Sequence, residues 1–135
     1  MADTPEARVK RRVHALLAKY GAYAVNYIGG QYATSGTPDI LACVRGRFIG
    51  IEVKAGTNKP TALQLGALER IAAAGGLALV VNELLLDYLE ECLNVPDIHQ
   101  ARSNYQIFNR APTSPDEGGD QTPPTKRAAT RRVPT

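Results

Sequence analysis

The sequence predicts an α/β domain, a mixed central sheet flanked by helices in the order α-β-β-β-α-β-α. Three observations carry this. Apolar residues recur at helical spacing in three stretches, and they alternate or run together in four shorter ones. Glycine, proline and polar clusters separate the stretches, and the pattern fades beyond Val95.

The first helix lies in "TPEARVKRRVHALLAKYGAY". Thr4 is placed as its N-cap and Pro5 as its first helical residue. Val9, Val13, Leu16, Leu17 and Tyr20 form its apolar face, and Gly21 supplies the stop. "AYAVNYI" reads as a strand, followed by a polar loop through "GGQYATSGT". "PDILACV", a turn in "RGR" and "FIGIEVK" read as a β-hairpin. "AGTNKP" is a loop, and "TALQLGALERIAAAGG" is a helix capped by Thr61 and stopped by the glycine pair. "LALVVN" is a short buried strand and "ELLLDYLEECL" a last amphipathic helix.

These elements divide the chain into a domain over 1–94, a poorly defined extension over 95–111 and a disordered basic tail over 112–135. A length of 135 residues suits one domain with a real core. The longest apolar stretch, around Leu77 to Leu86, is too short to span a bilayer. "MADTPEARVKRR" lacks the apolar region of a secretory signal. Cys43 and Cys92 make neither a disulfide framework nor a metal knuckle, and each is expected as a small buried apolar residue. A soluble, cytoplasmic protein with no membrane partner is the expectation. The net charge of +3 is only a mild pointer to anionic partners. Its distribution says more: Arg8, Lys10, Arg11 and Arg12 crowd the first helix, Lys126, Arg127, Arg131 and Arg132 the tail. Glu83, Asp87, Glu90 and Glu91 make the last helix acidic.

The informative misfits are Asp39, Glu52 and Lys54, charged residues inside stretches that otherwise read as buried strand. Glu52 and Lys54 share one face of their strand, with Ile51 and Val53 on the other. A two-residue loop, Arg45-Gly46 or Gly46-Arg47, pairs Asp39 with Glu52 or with Lys54. Either register gathers the three charges on one face, with opposed Cβ atoms roughly 5 Å apart. The other face then reads Ile40, Ala42, Val44, Ile49, Ile51 and Val53, all apolar. A three-residue loop would scramble this arrangement. Two carboxylates so close call for a cation between them. Mg²⁺ suits one or two carboxylates together with waters and phosphate oxygens. A lysine on the same face could offset charge growing on an attacked phosphate, so the set suits metal-assisted phosphodiester hydrolysis. The plain alternative is a solvent-facing hairpin in which Glu52 and Lys54 merely pair with each other.

Pro38-Asp39 followed by Glu52-Val53-Lys54 resembles the PD-(D/E)xK nuclease signature. The longer stretch "SGTPDILACVRGRFIGIEVKAGTNKPTALQLGALERIAAAGGLALVV" resembles the VRR-NUC branch of that superfamily, in its stand-alone phage or bacterial form. The resemblance covers roughly Glu6 to Asn82. It implies a restriction-endonuclease-like core and a Mg²⁺- or Mn²⁺-dependent nuclease. It also implies metal ligation by Asp39, Glu52 and the Val53 carbonyl, with Lys54 as the catalytic lysine. Gln64 matches the glutamine on the helix that follows, and Glu6 the acidic residue of the first helix.

Two of these matches have a second explanation. Thr61-Ala62-Leu63-Gln64 is also a capping box, in which Gln64 reaches back to the N-cap amide. Glu6 precedes Val9 and Val13 by helical spacing and so points toward the sheet, yet a first-turn glutamate is also favoured by the helix dipole. Ser35, Lys59, Arg8 and Arg12 are candidate nucleic-acid contacts; His14 and His99 have no partner spacing and receive no role.

The leading expectation is a structure-selective DNA endonuclease of Holliday-junction-resolvase type. It would act on branched or junction DNA as a homodimer, because symmetric cutting of two strands needs two sites. The alternative is a non-catalytic DNA-binding or scaffolding protein that retains the fold.

Overall fold

A computed structural model describes residues 3–108. The expected basic tail, 112–135, lies outside them. The elements are α1 (Pro5–Lys19), β1 (Tyr23–Asn26), β2 (Ile40–Val44), β3 (Arg47–Val53), α2 (Ala62–Ala73), β4 (Leu77–Val81) and α3 (Leu86–Asn94). Their order is the expected α-β-β-β-α-β-α. The four strands form one sheet, ordered β1-β2-β3-β4. The first two pairings are antiparallel and β3 pairs with β4 in parallel. A parallel pair needs a long crossover, which α2 provides.

Local chemistry sets the helix ends. The Thr4 hydroxyl accepts from the Ala7 amide at 3.1 Å, with Pro5 in the first turn of α1. Thr61 and Gln64 form the full capping box of α2: Thr61 Oγ1 accepts from the Gln64 amide at 3.2 Å, and Gln64 Oε1 accepts from the Thr61 amide at 2.8 Å. The last predicted helix divides in two. Glu83–Leu85 is one turn of 3-10 helix and α3 begins at Leu86. Asn82 Oδ1 accepts from the amides of both Leu84 and Leu85, tightening that turn before the α-helix starts. The predicted "AYAVNYI" strand is shorter than expected, four residues at the sheet edge.

The sheet is covered on both faces. Ile40, Ala42, Val44, Ile49, Ile51, Val53, Leu77, Leu79 and Val81 face α1 and α3, where Val9, Val13, Leu17, Leu89 and Leu93 complete one buried cluster. On the other face α2 sets Leu68 against Ala78 and Val80. There α2 lies close to β3, since a Cβ on Gly50 would stand 2.5 Å from Ile71 Cδ1. Cover on this face stops short of β1 and β2. Cys43 is therefore exposed, against expectation, beside the exposed rings of Tyr23 and Phe48, its neighbours in register on β1 and β3. Cys92 is buried as expected.

The β2–β3 turn is Arg45-Gly46, two residues between the Val44–Arg47 pair. Both take positive φ, 46° and 88°, the geometry of a tight hairpin turn matched to sheet twist. A non-glycine residue there is disfavoured. The Arg45 guanidinium offsets that cost by donating to the carbonyls of Leu93 and Val95 at the end of α3. Arg47 likewise donates to the carbonyls of Gly75, Gly76, Ile98 and Ala101. The two arginines of "RGR" are thus structural ties.

Beyond α3 the chain stays ordered where the apolar pattern had faded. It makes 3-10 turns at Ile98–Gln100 and Tyr105–Phe108, with Ile98, Ala101, Asn104 and Tyr105 buried. Ile98 and Ala101 join one apolar cluster and Tyr105 the other, but the hold on β4 is polar, and polar bonds leave no hydrophobic signal. Ser103 Oγ accepts from the Ala78 amide at 2.8 Å. Asn104 accepts from the Val80 amide at 2.8 Å and donates to the Val80 carbonyl at 2.9 Å. This segment satisfies the outer edge of β4, which would otherwise be open to pairing. Asn104→Ala strands both backbone groups of Val80 and is expected to cost about 2–4 kcal/mol. Urea unfolding measures it; a loss within 0.5 kcal/mol would show that the segment does not stabilise the sheet.

Candidate active site

The hairpin register decides how the strand charges meet. Ile40 pairs with Ile51, so Asp39, one residue earlier, stands opposite Glu52. Asp39 Oδ2 accepts from the Val53 amide at 2.8 Å, which fixes that carboxylate against β3. On its other side the Asp39 carbonyl accepts from the Tyr27 amide at 2.8 Å, extending the β1–β2 ladder by one pair. Lys54 follows on the Glu52 face, its Nζ 3.6 Å from Glu52 Oε2. Of the alternatives the sequence left open, the loop is Arg45-Gly46 and the pairing is Asp39 with Glu52.

This is not a solvent-facing ion pair. Glu52 is 2% exposed and the Lys54 side chain 16%. Burial raises the Glu52 carboxyl from 4.5 to about 8, and the Asp39 charge adds to the rise, partly offset by Lys54. Glu52 Oε1 is buried with no hydrogen-bond partner. A buried carboxylate oxygen without a partner is costly and rare. A charged group that stays in such a place needs a counterpart.

Donor chemistry identifies a suitable one. Among the described residues no three of His, Cys, Asp and Glu gather into a metal-holding cluster. Two opposed carboxylates with a free oxygen nevertheless fit a hard divalent ion of the Mg²⁺ type, which keeps several waters and takes only one or two protein carboxylates. Asp39 and Glu52 provide that pair, and the backbone carbonyl of Val53 lies between Glu52 and Lys54 in the chain.

The remaining sequence candidates are distributed unevenly. Ser35 lies in the same recess as Asp39. Gln64 stands in the first turn of α2, its Oε1 engaged in the capping box. Glu6 is not gathered with Asp39 and Glu52; it lines a groove with Lys10, His14, Asn26 and Ala55. Lys59 is exposed on the loop between β3 and α2. Arg8 and Arg11 both reach Asp3, Arg11 through two bonds of 2.7 and 2.9 Å. Arg12 shares a hollow with Asp87 and Glu90. Two of the first helix's basic residues, Arg8 and Arg11, are therefore turned to Asp3.

Two contributors were missed by sequence reasoning. Glu83 Oε1 accepts from the Gly56 amide at 2.9 Å, pinning the chain just after Lys54 to the end of β4. The Tyr27 hydroxyl accepts from the Thr34 amide at 2.8 Å, bracing the loop that leads to Asp39. Both bonds join residues distant in sequence or inside a loop without periodicity, so no local signal announces them. His14, given no role, bonds Asn26 across 2.7 Å.

No sequence profile of a known family and no curated protein matches this chain. Solved structures do. A VRR-NUC domain superposes with a TM-score of 0.56 at 22% identity, covering 70% of this chain and 99% of that domain. The chain has the VRR-NUC fold. Near-complete coverage of that domain means the likeness extends over its whole fold. Hjc, a Holliday junction resolvase from the hyperthermophilic archaeon Archaeoglobus fulgidus, overlaps less well. The TM-score is 0.46 at 26% identity, over 56% of this chain and 65% of the resolvase. At that score the second likeness carries no argument. Among the described residues no helix is long and apolar enough to cross a membrane.

Proposed function

We propose that this chain is a divalent-metal-dependent DNA endonuclease, structure-selective in the manner of a junction resolvase. The observation that carries the reading is the orphaned, buried Glu52 Oε1 opposite Asp39, with Lys54 beside it. A protein that only bound DNA would gain nothing from setting a buried Glu52 against a half-buried Asp39 next to phosphates, because carboxylates repel them.

In this reading Asp39, Glu52 and the Val53 carbonyl hold Mg²⁺ or Mn²⁺. The ion, when bound, activates water and neutralises charge on the scissile phosphate. The Val53 amide keeps Asp39 in its rotamer, and the walls of β3 and β4 keep Glu52 out of bulk solvent. Lys54 places a positive charge where the phosphate gains negative charge as its bond to the leaving oxygen breaks. The products are a 5′-phosphate and a 3′-hydroxyl. Ser35, in the recess that Asp39 lines, and the exposed Lys59 are the outer contacts to DNA in this reading, while Gln64, Glu6, Arg8 and Arg12, engaged elsewhere or lying apart, take no part in the chemistry. Cutting both strands of a junction symmetrically calls for a homodimer. The nuclease unit, assigned to 1–94 from sequence, is completed by the segment that covers β4.

The test incubates purified protein with Mg²⁺ or with EDTA on four-way junction, flap, linear duplex and single-stranded DNA. Mg²⁺-dependent cleavage of the branched substrates is expected. If no substrate is cut with Mg²⁺ or Mn²⁺, and calorimetry finds no ion uptake, the non-catalytic scaffold is the correct reading.

A further inference from the structure

The loop between β1 and β2 carries two of the most exposed apolar side chains in the described residues, Tyr32 at 92% and Ile28 at 83%. Lone exposed apolar residues need no explanation. These two differ because of where they stand and how the loop is held. Its ends are pinned by the Tyr27–Thr34 bond at 2.8 Å and by the Thr37 hydroxyl donating to the Thr34 carbonyl at 2.8 Å. Gly36 passes so close to α2 that a Cβ there would lie 2.5 Å from the Leu63 carbonyl oxygen. The same loop walls a recess of about 340 Å³ that opens onto Asp39. A braced loop thus holds an aromatic ring and an aliphatic side chain in water, on the same segment that walls the recess shared with Asp39.

The recess chemistry selects the ligand. Tyr27, Thr34, Ser35 and Thr37 offer hydroxyls, the rest is glycine, alanine and backbone, and no lysine or arginine lines it. Without a cation, and with Asp39 in its lining, it is a poor phosphate pocket. Its volume is at the small end of ligand-sized sites, too small for a duplex. Hydroxyls and amides suit the hydrogen-bonding edge of a base. An exposed ring is what replaces the stacking that a base loses when it leaves a helix.

We infer that this loop is a reader of unpaired bases: Tyr32, with Ile28 exposed on the same loop, stacks on a base left unpaired at a branch or flap near the phosphate bound at Asp39. The inference rests on the nuclease reading and deepens it, making Tyr32 the residue that favours branched over continuous DNA. Tyr32 takes no part in the bond-breaking itself.

Binding in EDTA tests it without cleavage. Fluorescence anisotropy on the full chain compares a flap, a duplex with one unpaired nucleotide and a fully paired duplex. Tyr32→Ala is expected to weaken binding to the first two by about tenfold and to leave the paired duplex unchanged. Tyr32→Phe, which keeps the ring, should bind like the parent. Equal loss on all three DNAs, no loss on any, or failure of the Phe variant overturns the inference. A protein that binds flaps through Tyr32 yet never cuts them overturns the nuclease reading and leaves this one standing. A protein that cuts flaps with affinity indifferent to Tyr32→Ala does the reverse.

Discussion

Lys54→Ala is expected to lower Mg²⁺-dependent DNA cleavage by about 10²–10³-fold while leaving divalent-ion uptake intact once both proteins are compared at a pH where Glu52 is ionised. The lysine is proposed to act on phosphate charge in the transition state, not on the ion, so the two readouts should separate. Its side chain is largely buried beside Glu52, with Nζ 3.6 Å from Oε2. Removing it also deprives Glu52 of the one charge that eases its ionisation. The cleavage optimum should therefore shift to higher pH in Lys54→Ala. Asp39→Asn is the partner variant. It keeps an oxygen to accept the 2.8 Å bond from the Val53 amide, so the fold is preserved, yet it withdraws the charge from the ion. Cleavage and calorimetric ion uptake should fall together in Asp39→Asn, and cleavage alone in Lys54→Ala. If Lys54→Ala cuts within threefold of the parent rate, the lysine has no role in the chemistry.

The second large effect is a pH dependence of stability that runs opposite to that of most carboxylates. Burial lifts Glu52 from 4.5 to about 8. Between those values the folded chain holds a proton that the unfolded chain releases, so the free energy of unfolding falls as pH rises. The contribution is fully present below about 4.5 and is lost as pH climbs through about 8. From pH 6 to pH 8 the metal-free protein should lose about 2 kcal/mol, lowering Tm by roughly 5–15 °C for a domain of this size. Glu52→Gln, which cannot ionise, should flatten the profile and be the more stable protein at pH 8. Mg²⁺ or Mn²⁺ binds the ionised carboxylate, so uptake should release protons and tighten with pH up to about 8, restoring stability there. Differential scanning calorimetry in EDTA decides it: identical slopes for parent and Glu52→Gln would show that the carboxyl is not desolvated.

Both predictions rest on a geometry that strand parity made legible. Because side chains alternate along a strand, a two-residue turn at Arg45-Gly46 forces Asp39, Glu52 and Lys54 to one face. The apolar set runs from Ile40 to Val53 on the other face, and every member of it is buried. The helices were readable for a similar reason. Caps at Thr4 and Thr61 and apolar spacing at Val9, Val13 and Leu17 are local signals, and local signals survive in a linear string.

What the string did not carry is contact between remote segments. Cys43 read as buried because its neighbours Ala42 and Val44 are, but α2 covers β3 and β4 and leaves that stretch of β2 open. Residues 98–108 looked featureless because only a few apolar residues, Ile98, Ala101 and Tyr105, reach the core from short turns, and the hold of Ser103 and Asn104 on β4 is by hydrogen bonds. The basic first helix promised a DNA-facing surface, yet Arg8 and Arg11 turn to Asp3, and Arg12 shares its hollow with Asp87 and Glu90. The order of elements, the hairpin parity and the three charges on one face are written in the chain itself, since each depends on a period of two or of 3.6 residues. How dry Glu52 is, which register the turn selects and how α2 leaves Cys43 open came only with the folded chain. Burial and charge pairing are properties of neighbours in space, and most of these neighbours lie far apart along the chain.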